Sequence, residues 1–253
     1  MKKTVIISVI VIAAIISAVL FFLYFKDYND PNKDVPSYSE YVDIGTDISE
    51  DIKDPDEPYV SPVDFEALHK INPDIYAWLM IPGTDISYPI VQNDDDTYYL
   101  RRNTDKKWAL SGSIFSESTY NGKDFEDAIT VLYGHRMDSG EMFGSVQRTY
   151  SSLEKLKEHN VIKIYLQDRE ISYRVFAAVP YDRRHIMYNY GDGTPRNSRL
   201  FLYSIANVKE IDAVIDNDEF AEIDDKMLVL STCLYGDRTR RYIVAAKKIE
   251  IYK

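Results

Sequence analysis

The stretch Met227-Leu-Val-Leu-Ser-Thr-Cys233 is an apolar strand that ends in the one cysteine of this 253-residue chain. An arginine cluster, Arg238-Thr-Arg-Arg241, follows it and leads into a second apolar strand, Tyr242-Ile-Val-Ala-Ala246. Much earlier, His135 ends a similar run, Ile129-Thr-Val-Leu-Tyr-Gly-His135. A thiol, an imidazole and a guanidinium at the edges of strands are the groups that acyl transfer through a thioester requires.

These three groups have complementary chemistry. A cysteine attacks as its thiolate, and an ordinary thiol pKa of about 8.5 leaves little thiolate at neutral pH. A neighbouring imidazole stabilises the thiolate and then protonates an amine leaving group. A guanidinium stays charged and offers several donors in a fixed fork to the oxyanion that forms during attack.

Each candidate has a simpler alternative. Cys233 is alternatively a buried, inert cysteine. The other histidines, at positions 69, 159 and 185, are predicted to be solvated or capping residues, whereas His135 follows an apolar strand through a glycine. Of the three arginines, Arg241 directly precedes the second strand, so its direction is the best defined. No metal role is predicted for Cys233, because zinc usually needs several Cys or His ligands and none cluster with it.

The first 61 residues differ in composition from the rest. Residues 5–25 form an uncharged apolar run, which predicts a transmembrane anchor after a short cytoplasmic tail (1–25), with Lys2 and Lys3 keeping the N-terminus inside. Residues 26–61 are acidic and poor in apolar side chains, which predicts a flexible stalk. Residues 62–253 would then form one catalytic domain on the extracellular face of the cell membrane. The net charge is −11 and no basic stripe is present, which argues against a nucleic-acid partner.

The pattern along the domain predicts mainly β structure. A helix is predicted over 63–71, a hairpin over 161–166 and 171–179, and a second helix over 199–208, before the cysteine strand. Seven or so short strands with a few helices in the connections indicate an antiparallel or mixed β-barrel.

Several ordered motifs resemble those of one enzyme family. Leu230-Ser-Thr-Cys233 followed by Arg241-Tyr-Ile-Val244 resembles the signature of sortases, the Gram-positive surface transpeptidases, and Tyr133-Gly-His-Arg-Met137 resembles their histidine segment. Further stretches are similar to class B in particular: Ile81-Pro-Gly-Thr84, Tyr88-Pro-Ile-Val-Gln92, Tyr98-Tyr-Leu-Arg-Arg102, Gly112-Ser-Ile-Phe115 and Met142-Phe-Gly-Ser145. The resemblance covers about residues 62–253.

The resemblance implies a fold and a set of roles. The fold would be a sortase-like closed β-barrel of about eight strands, with an N-terminal helical segment and a helix before the cysteine strand. Cys233 would be the nucleophile, His135 the acid that protonates the departing amine, and Arg241 the group that holds the oxyanion or orients the substrate carbonyl. The implied substrate-binding residues are Ser231, Thr232, Leu100, Tyr133 and Asp96. Asp96 departs from the family, which often has asparagine at this position.

The implied reaction needs no cofactor and no metal. The thiol would cleave a secreted protein after the threonine of a C-terminal sorting signal, NPxTN-like or PPxTG-like. An amine of peptidoglycan or its precursor would then resolve the thioester. Two alternatives remain open: a catalytically inactive binding or scaffold domain on a sortase-like barrel, and a cysteine peptidase that hydrolyses the same kind of peptide.

Overall fold

Nine strands form one sheet in the part of the chain that the structure describes. The computed structural model describes residues 2–28, 35–43 and 58–253, and in the first range it describes the side chains of 11–26. The strands are β1 (Ile75–Met80), β2 (Ser87–Val91), β3 (Ile114–Phe115), β4 (Ile129–Tyr133), β5 (Val161–Tyr165), β6 (Glu170–Tyr181), β7 (Val214–Ile215), β8 (Met227–Leu234) and β9 (Asp237–Tyr252).

The sheet closes on itself. Its order is β5-β1-β2-β3-β4-β8-β9-β6-β7, and β5 also pairs with β6. The closure makes a barrel of eight strands, and β7 is an additional strand at the edge of β6. A closed barrel has no unpaired edge, which removes the sites at which strands of other chains could add. The predicted mainly β fold with a closed barrel of about eight strands is confirmed.

Six helices lie in the described ranges: α1 (Lys2–Tyr28), α2 (Phe65–Ile71), α3 (Val146–Thr149), α4 (Leu153–Glu158), α5 (Ile186–Tyr190) and α6 (Pro195–Ala206). The predicted helices before β1 and before the cysteine strand correspond to α2 and α6. The start of α6 was predicted four residues too late. Thr194 accepts a hydrogen bond from the backbone N–H of Asn197, and Pro195 occupies the first turn, so a polar cap and a proline begin this helix.

The two faces of the sheet have different environments. Side chains alternate along a strand, so Leu228 and Leu230 of β8 belong to the apolar cluster inside the barrel. Val229 belongs to a second cluster outside it, which side chains of α5 and α6 cover. Ser231 and Cys233 continue this outer face towards the end of β8. The fold therefore brings the cysteine to the outer surface of the barrel, beside the covering helices.

The predicted membrane anchor at residues 1–25 is contradicted. Across the described ranges, no helix is long and apolar enough to span a bilayer. The predicted single-pass topology is wrong for the same reason, because it depends on the anchor. That topology had the N-terminus inside and the catalytic domain on the extracellular face.

Residues 35–43 lie in the range predicted as a stalk, and they contact the barrel domain. The Tyr38 side chain is buried, and its hydroxyl donates a hydrogen bond of 2.6 Å to Oδ1 of Asp105. Val42 forms an antiparallel bridge with Val63. Two parts of the predicted stalk, residues 29–34 and 44–57, lie outside the described residues, and the predicted domain boundaries stay predictions.

Closure of the barrel through β5 predicts a large effect of shortening Ile164. This residue is fully buried and pairs with both Leu79 of β1 and Ile171 of β6. Ile164→Ala should lower the free energy of unfolding by about 2–5 kcal/mol, because a cavity forms where the strands meet. Ile211→Ala is the matched control, since Ile211 is 99% exposed. Equal midpoints for the two variants in chemical denaturation would contradict this prediction.

Candidate active site

Two strand pairings bring the sequence-predicted groups to one edge of the sheet. β4 runs parallel to β8, with Tyr133 opposite Ser231, and the N–H of Gly134 still donates to the Ser231 carbonyl at 3.1 Å. β9 runs antiparallel to β8, with Arg241 opposite Cys233. Because parallel strands end at the same edge, the chain that leaves β4 carries His135 to the level of Cys233.

The cysteine and the arginine are in direct contact. Nη1 of Arg241 donates to the Cys233 sulfur at 3.7 Å, and both side chains are half-buried. The contact follows from the register, since directly opposed residues on antiparallel strands have neighbouring side chains.

An insertion in β9 separates Arg241 from the arginines before it. Leu234 pairs with Asp237 while Cys233 pairs with Arg241, so residues 238–240 have no counterpart on β8. Arg240 makes a two-pronged ion pair with Glu210, with N–O distances of 2.8 and 2.5 Å. The structure thus brings Arg241 to the thiol and directs Arg240 to the connection between α6 and β7.

The His135 ring is held by the backbone of a distant turn. Its Nε2 lies 2.9 Å from the carbonyl oxygen of Leu100, in the 3₁₀ turn Tyr98–Arg101. Burial lowers the pKa of His135 below its ordinary value. The hydrogen bond to Leu100 opposes this shift, whereas the positive charges of Arg101 and Arg241 add to it. The imidazole is therefore neutral at neutral pH.

Gly134 is needed for close packing. A β-carbon at this position would lie 2.5 Å from Cδ1 of Ile114 and 2.6 Å from Cδ2 of Phe143. No side chain fits there without displacing the barrel interior. The glycine before His135 therefore has a steric role, which the sequence pattern alone does not indicate.

The predicted substrate-binding residues have different environments. Ser231 lies on the same strand face as Cys233, whereas Thr232 faces the opposite way and is buried, with no hydrogen-bond partner for its hydroxyl in the described ranges. Leu100 is exposed and Tyr133 is half-buried. Oδ1 of Asp96 accepts hydrogen bonds from the Ser118 hydroxyl and the Thr119 N–H, at 3.2 and 3.4 Å. Their contacts with substrate stay predictions.

A polar bridge beside Tyr133 was not found from the sequence. His185, which precedes α5, lies 2.8 Å from Oε1 of Glu117, and its ring is 6.1 Å from that of Tyr133. His185 also caps α5, as the sequence predicted, by accepting from the N–H of Tyr188. Burial is the largest cause that raises the pKa of the Tyr133 hydroxyl above its ordinary value, and the negative charge of Glu117 adds to this shift. The two partners of the bridge are 68 positions apart, so no local signal pointed to it.

Metal binding has no support in the described ranges, where no group of three or more His, Cys, Asp or Glu side chains could hold an ion. The groups that the strand pairings bring to the edge of β8 are the thiol, the imidazole and the guanidinium.

Comparison with known proteins identifies the family. A sortase domain matches residues 79–249. The chain belongs to the sortase family. Sortase B of Staphylococcus aureus is 29% identical over 189 residues, which cover 74% of this chain and 75% of that protein. Sortase B of Listeria monocytogenes is 31% identical over 166 residues, which cover 66% of this chain and 65% of that protein.

The fold agrees with this assignment. The crystal structure of Staphylococcus aureus sortase B matches with a TM-score of 0.64 and 28% identity, and the match covers 76% of this chain and 89% of the other. The resemblance to class B is therefore confirmed. The chain is a cysteine transpeptidase of the sortase family.

The charges around His135 predict how its pKa responds to substitution. The pKa of the folded protein should lie below about 6.5, the value of an unperturbed histidine. Arg241→Gln should raise it, because one of the repelling charges is lost. Arg240→Gln should change it much less, because the charges that lower the pKa of His135 are those of Arg101 and Arg241. NMR titration of the imidazole measures the pKa of His135 in the wild-type protein and in both variants. Equal pKa values in the two variants would exclude the proposed proximity of Arg241 to His135.

Proposed function

We propose that this sortase cleaves a protein after the threonine of a C-terminal sorting signal and transfers it to an amine of peptidoglycan or its precursor. The signal would be of the NPxTN or PPxTG type. The observation that carries the proposal is the contact of Arg241 with the Cys233 sulfur at a strand edge that His135 also reaches. We assign Cys233 as nucleophile, His135 as acid and base, and Arg241 as oxyanion donor.

The first half of the reaction forms a thioester. The Leu100 carbonyl accepts a hydrogen bond and cannot donate one, so Nε2 of neutral His135 carries the proton and Nδ1 is free to take one. Nδ1 removes the thiol proton as the sulfur attacks the carbonyl carbon of threonine. The guanidinium stabilises the oxyanion, and His135 returns the proton to the departing amine as the peptide bond breaks.

The second half transfers the acyl group. The acceptor amine attacks the thioester carbon and loses a proton to His135 as the carbon–sulfur bond breaks. The proton then restores the thiol. Water would give hydrolysis in place of transfer, so the groove must favour the amine. We propose that Ser231, Leu100 and Tyr133 line this groove.

Loss of the sulfur should abolish the first half of the reaction. Cys233→Ala should lower cleavage of a sorting peptide by several orders of magnitude, as expected for removal of a nucleophile. Cleavage of fluorogenic peptides with each candidate signal measures this effect, and circular dichroism checks the fold. Residual turnover near the wild-type rate would remove Cys233 from the nucleophile role. Absence of cleavage by the wild-type protein for every peptide would favour the inactive scaffold.

A charge-conserving change should separate the two neighbouring arginines. Arg241→Lys should lower kcat/KM by roughly 10²–10³-fold, because an ammonium cannot reproduce the guanidinium fork at the oxyanion. Arg240→Lys is the matched control and should cost much less, because it contacts Glu210 and not the sulfur. A larger loss in Arg240→Lys would show that the assignment of the oxyanion donor is wrong by one residue.

Product analysis distinguishes transfer from hydrolysis. Peptide cleavage with added di- or triglycine, as a probe for the acceptor amine, should yield the ligated product in proportion to the amine concentration. Mass spectrometry measures the ratio of ligated to hydrolysed peptide. Hydrolysis alone at every concentration and with every amine would favour the cysteine peptidase.

A further inference from the structure

The turn that holds His135 is itself held by a partly buried polar network. The turn Tyr98–Arg101 presents the Leu100 carbonyl to Nε2 of His135 at 2.9 Å. A shift of this carbonyl would remove the acceptor that keeps the proton on Nε2. The orientation of the turn therefore determines which imidazole nitrogen is free at the reactive edge.

Tyr99, the neighbour of Leu100, connects the turn to the protein interior. Its side chain is 1% exposed, and its hydroxyl donates to Oδ2 of Asp74 at 2.6 Å. The same hydroxyl accepts a hydrogen bond of 2.8 Å from Nδ2 of fully buried Asn72. The backbone carbonyl oxygen of Tyr99 accepts a hydrogen bond of 3.1 Å from the N–H of Ser113. Tyr99 is thus held at both ends.

The network is ionic at its centre. Oδ2 of Asp74 also accepts a hydrogen bond from Nδ2 of Asn93 at 3.1 Å, and it forms an ion pair with the Lys106 ammonium at 3.0 Å. Burial by itself would raise the pKa of Asp74, but the hydrogen bonds from Tyr99 and Lys106 lower it below its ordinary value. Asp74 is therefore a carboxylate at neutral pH, and a charged acceptor makes the bond from Tyr99 strong.

We propose that Tyr99 and Asp74 are positioning residues that hold the Leu100 carbonyl against Nε2 of His135 and so leave Nδ1 to exchange the proton with Cys233. The proposal rests on the role of His135 proposed above. We assign neither residue a contact with the substrate. Both act through the turn that lies between the network and the imidazole.

Removal of the Tyr99 hydroxyl tests this role. Tyr99→Phe keeps the ring and should convert the single Nε2–H tautomer of neutral His135 into a mixture, which ¹⁵N NMR of histidine-labelled protein detects. The pKa of His135 should fall, because the hydrogen bond to Leu100 raises it in the wild type. The variant should also lose about tenfold in kcat, with KM for the sorting peptide unchanged. This loss is smaller than the roughly 10²–10⁴-fold contribution of a general acid–base, because the imidazole itself remains.

Tyr98→Phe is the matched control. It removes a hydroxyl from the neighbouring residue of the same turn, and the ring stays beside Arg102. In Tyr98→Phe, the tautomer and the pKa of His135 and the kcat of the enzyme should match those of the wild type. A merely structural role of Tyr99 would lower the thermal midpoint and leave the tautomer unchanged, and that result overturns the proposal.

A second variant guards against misfolding. If Tyr99→Phe does not fold, Asp74→Asn takes its place, because it removes the charge that anchors the hydroxyl. A mixed tautomer in this variant supports the proposal, and a wild-type tautomer overturns it. The NMR measurement requires no turnover, so its outcome is independent of whether the chain cleaves sorting peptides.

Discussion

The hydrogen-bond register of β4, β8 and β9 is the constraint on which the candidate active site depends. The antiparallel pairing places Arg241 opposite Cys233, and the parallel pairing carries the chain after Tyr133 to the same edge. A shift of one residue in β8 would turn the cysteine towards the barrel interior and bring Thr232 outwards, because successive side chains face opposite sides. The apolar cluster inside the barrel opposes such a shift, since Leu228 and Leu230 would then lose their buried positions.

The outer face of the same strands combines a covered and an open part. α5 and α6 pack on the apolar residues that precede the cysteine, and the bridge between Glu117 and His185 lies beside Tyr133. Ser231 and Cys233 follow on the same face. The thiol therefore lies next to an apolar cluster and is half-buried. Such a position suits a thioester that must react with an amine while it is shielded from water.

Two of the three reactive groups, the imidazole and the guanidinium, have support from a distant part of the chain. The imidazole is held by the Leu100 carbonyl, and the turn that carries this carbonyl is held by Tyr99 and Asp74. The strand that carries the guanidinium is tied through Arg240 to Glu210. Rigid support of this kind matters because catalysis by positioned groups loses efficiency with small displacements. The reactive groups are preorganised by hydrogen bonds between secondary-structure elements, and the closed barrel fixes the relative positions of these elements.

Local patterns in the sequence were sufficient for the barrel class, the hairpin of β5 and β6, and the approximate positions of α2 and α6. They also singled out Cys233, His135 and Arg241, because each lies next to an apolar strand, and ordered motifs pointed to class B sortases. The same patterns misled at residues 1–25, where an apolar run predicted an anchor that the described ranges do not contain.

Other features depend on pairs that only the folded chain brings together. Tyr99 and Asp74 are 25 positions apart, and Glu117 and His185 are 68 apart. Hydrophobic periodicity reports which face of an element is buried, but it carries no information on which polar side chains meet across elements. The sequence by itself therefore determined the class of fold, the approximate positions of several strands and helices, and the reactive residue types. Tertiary structure alone decided their register, their hydrogen-bond partners and the steric need for Gly134, because these are set by distances between strands that are remote along the chain.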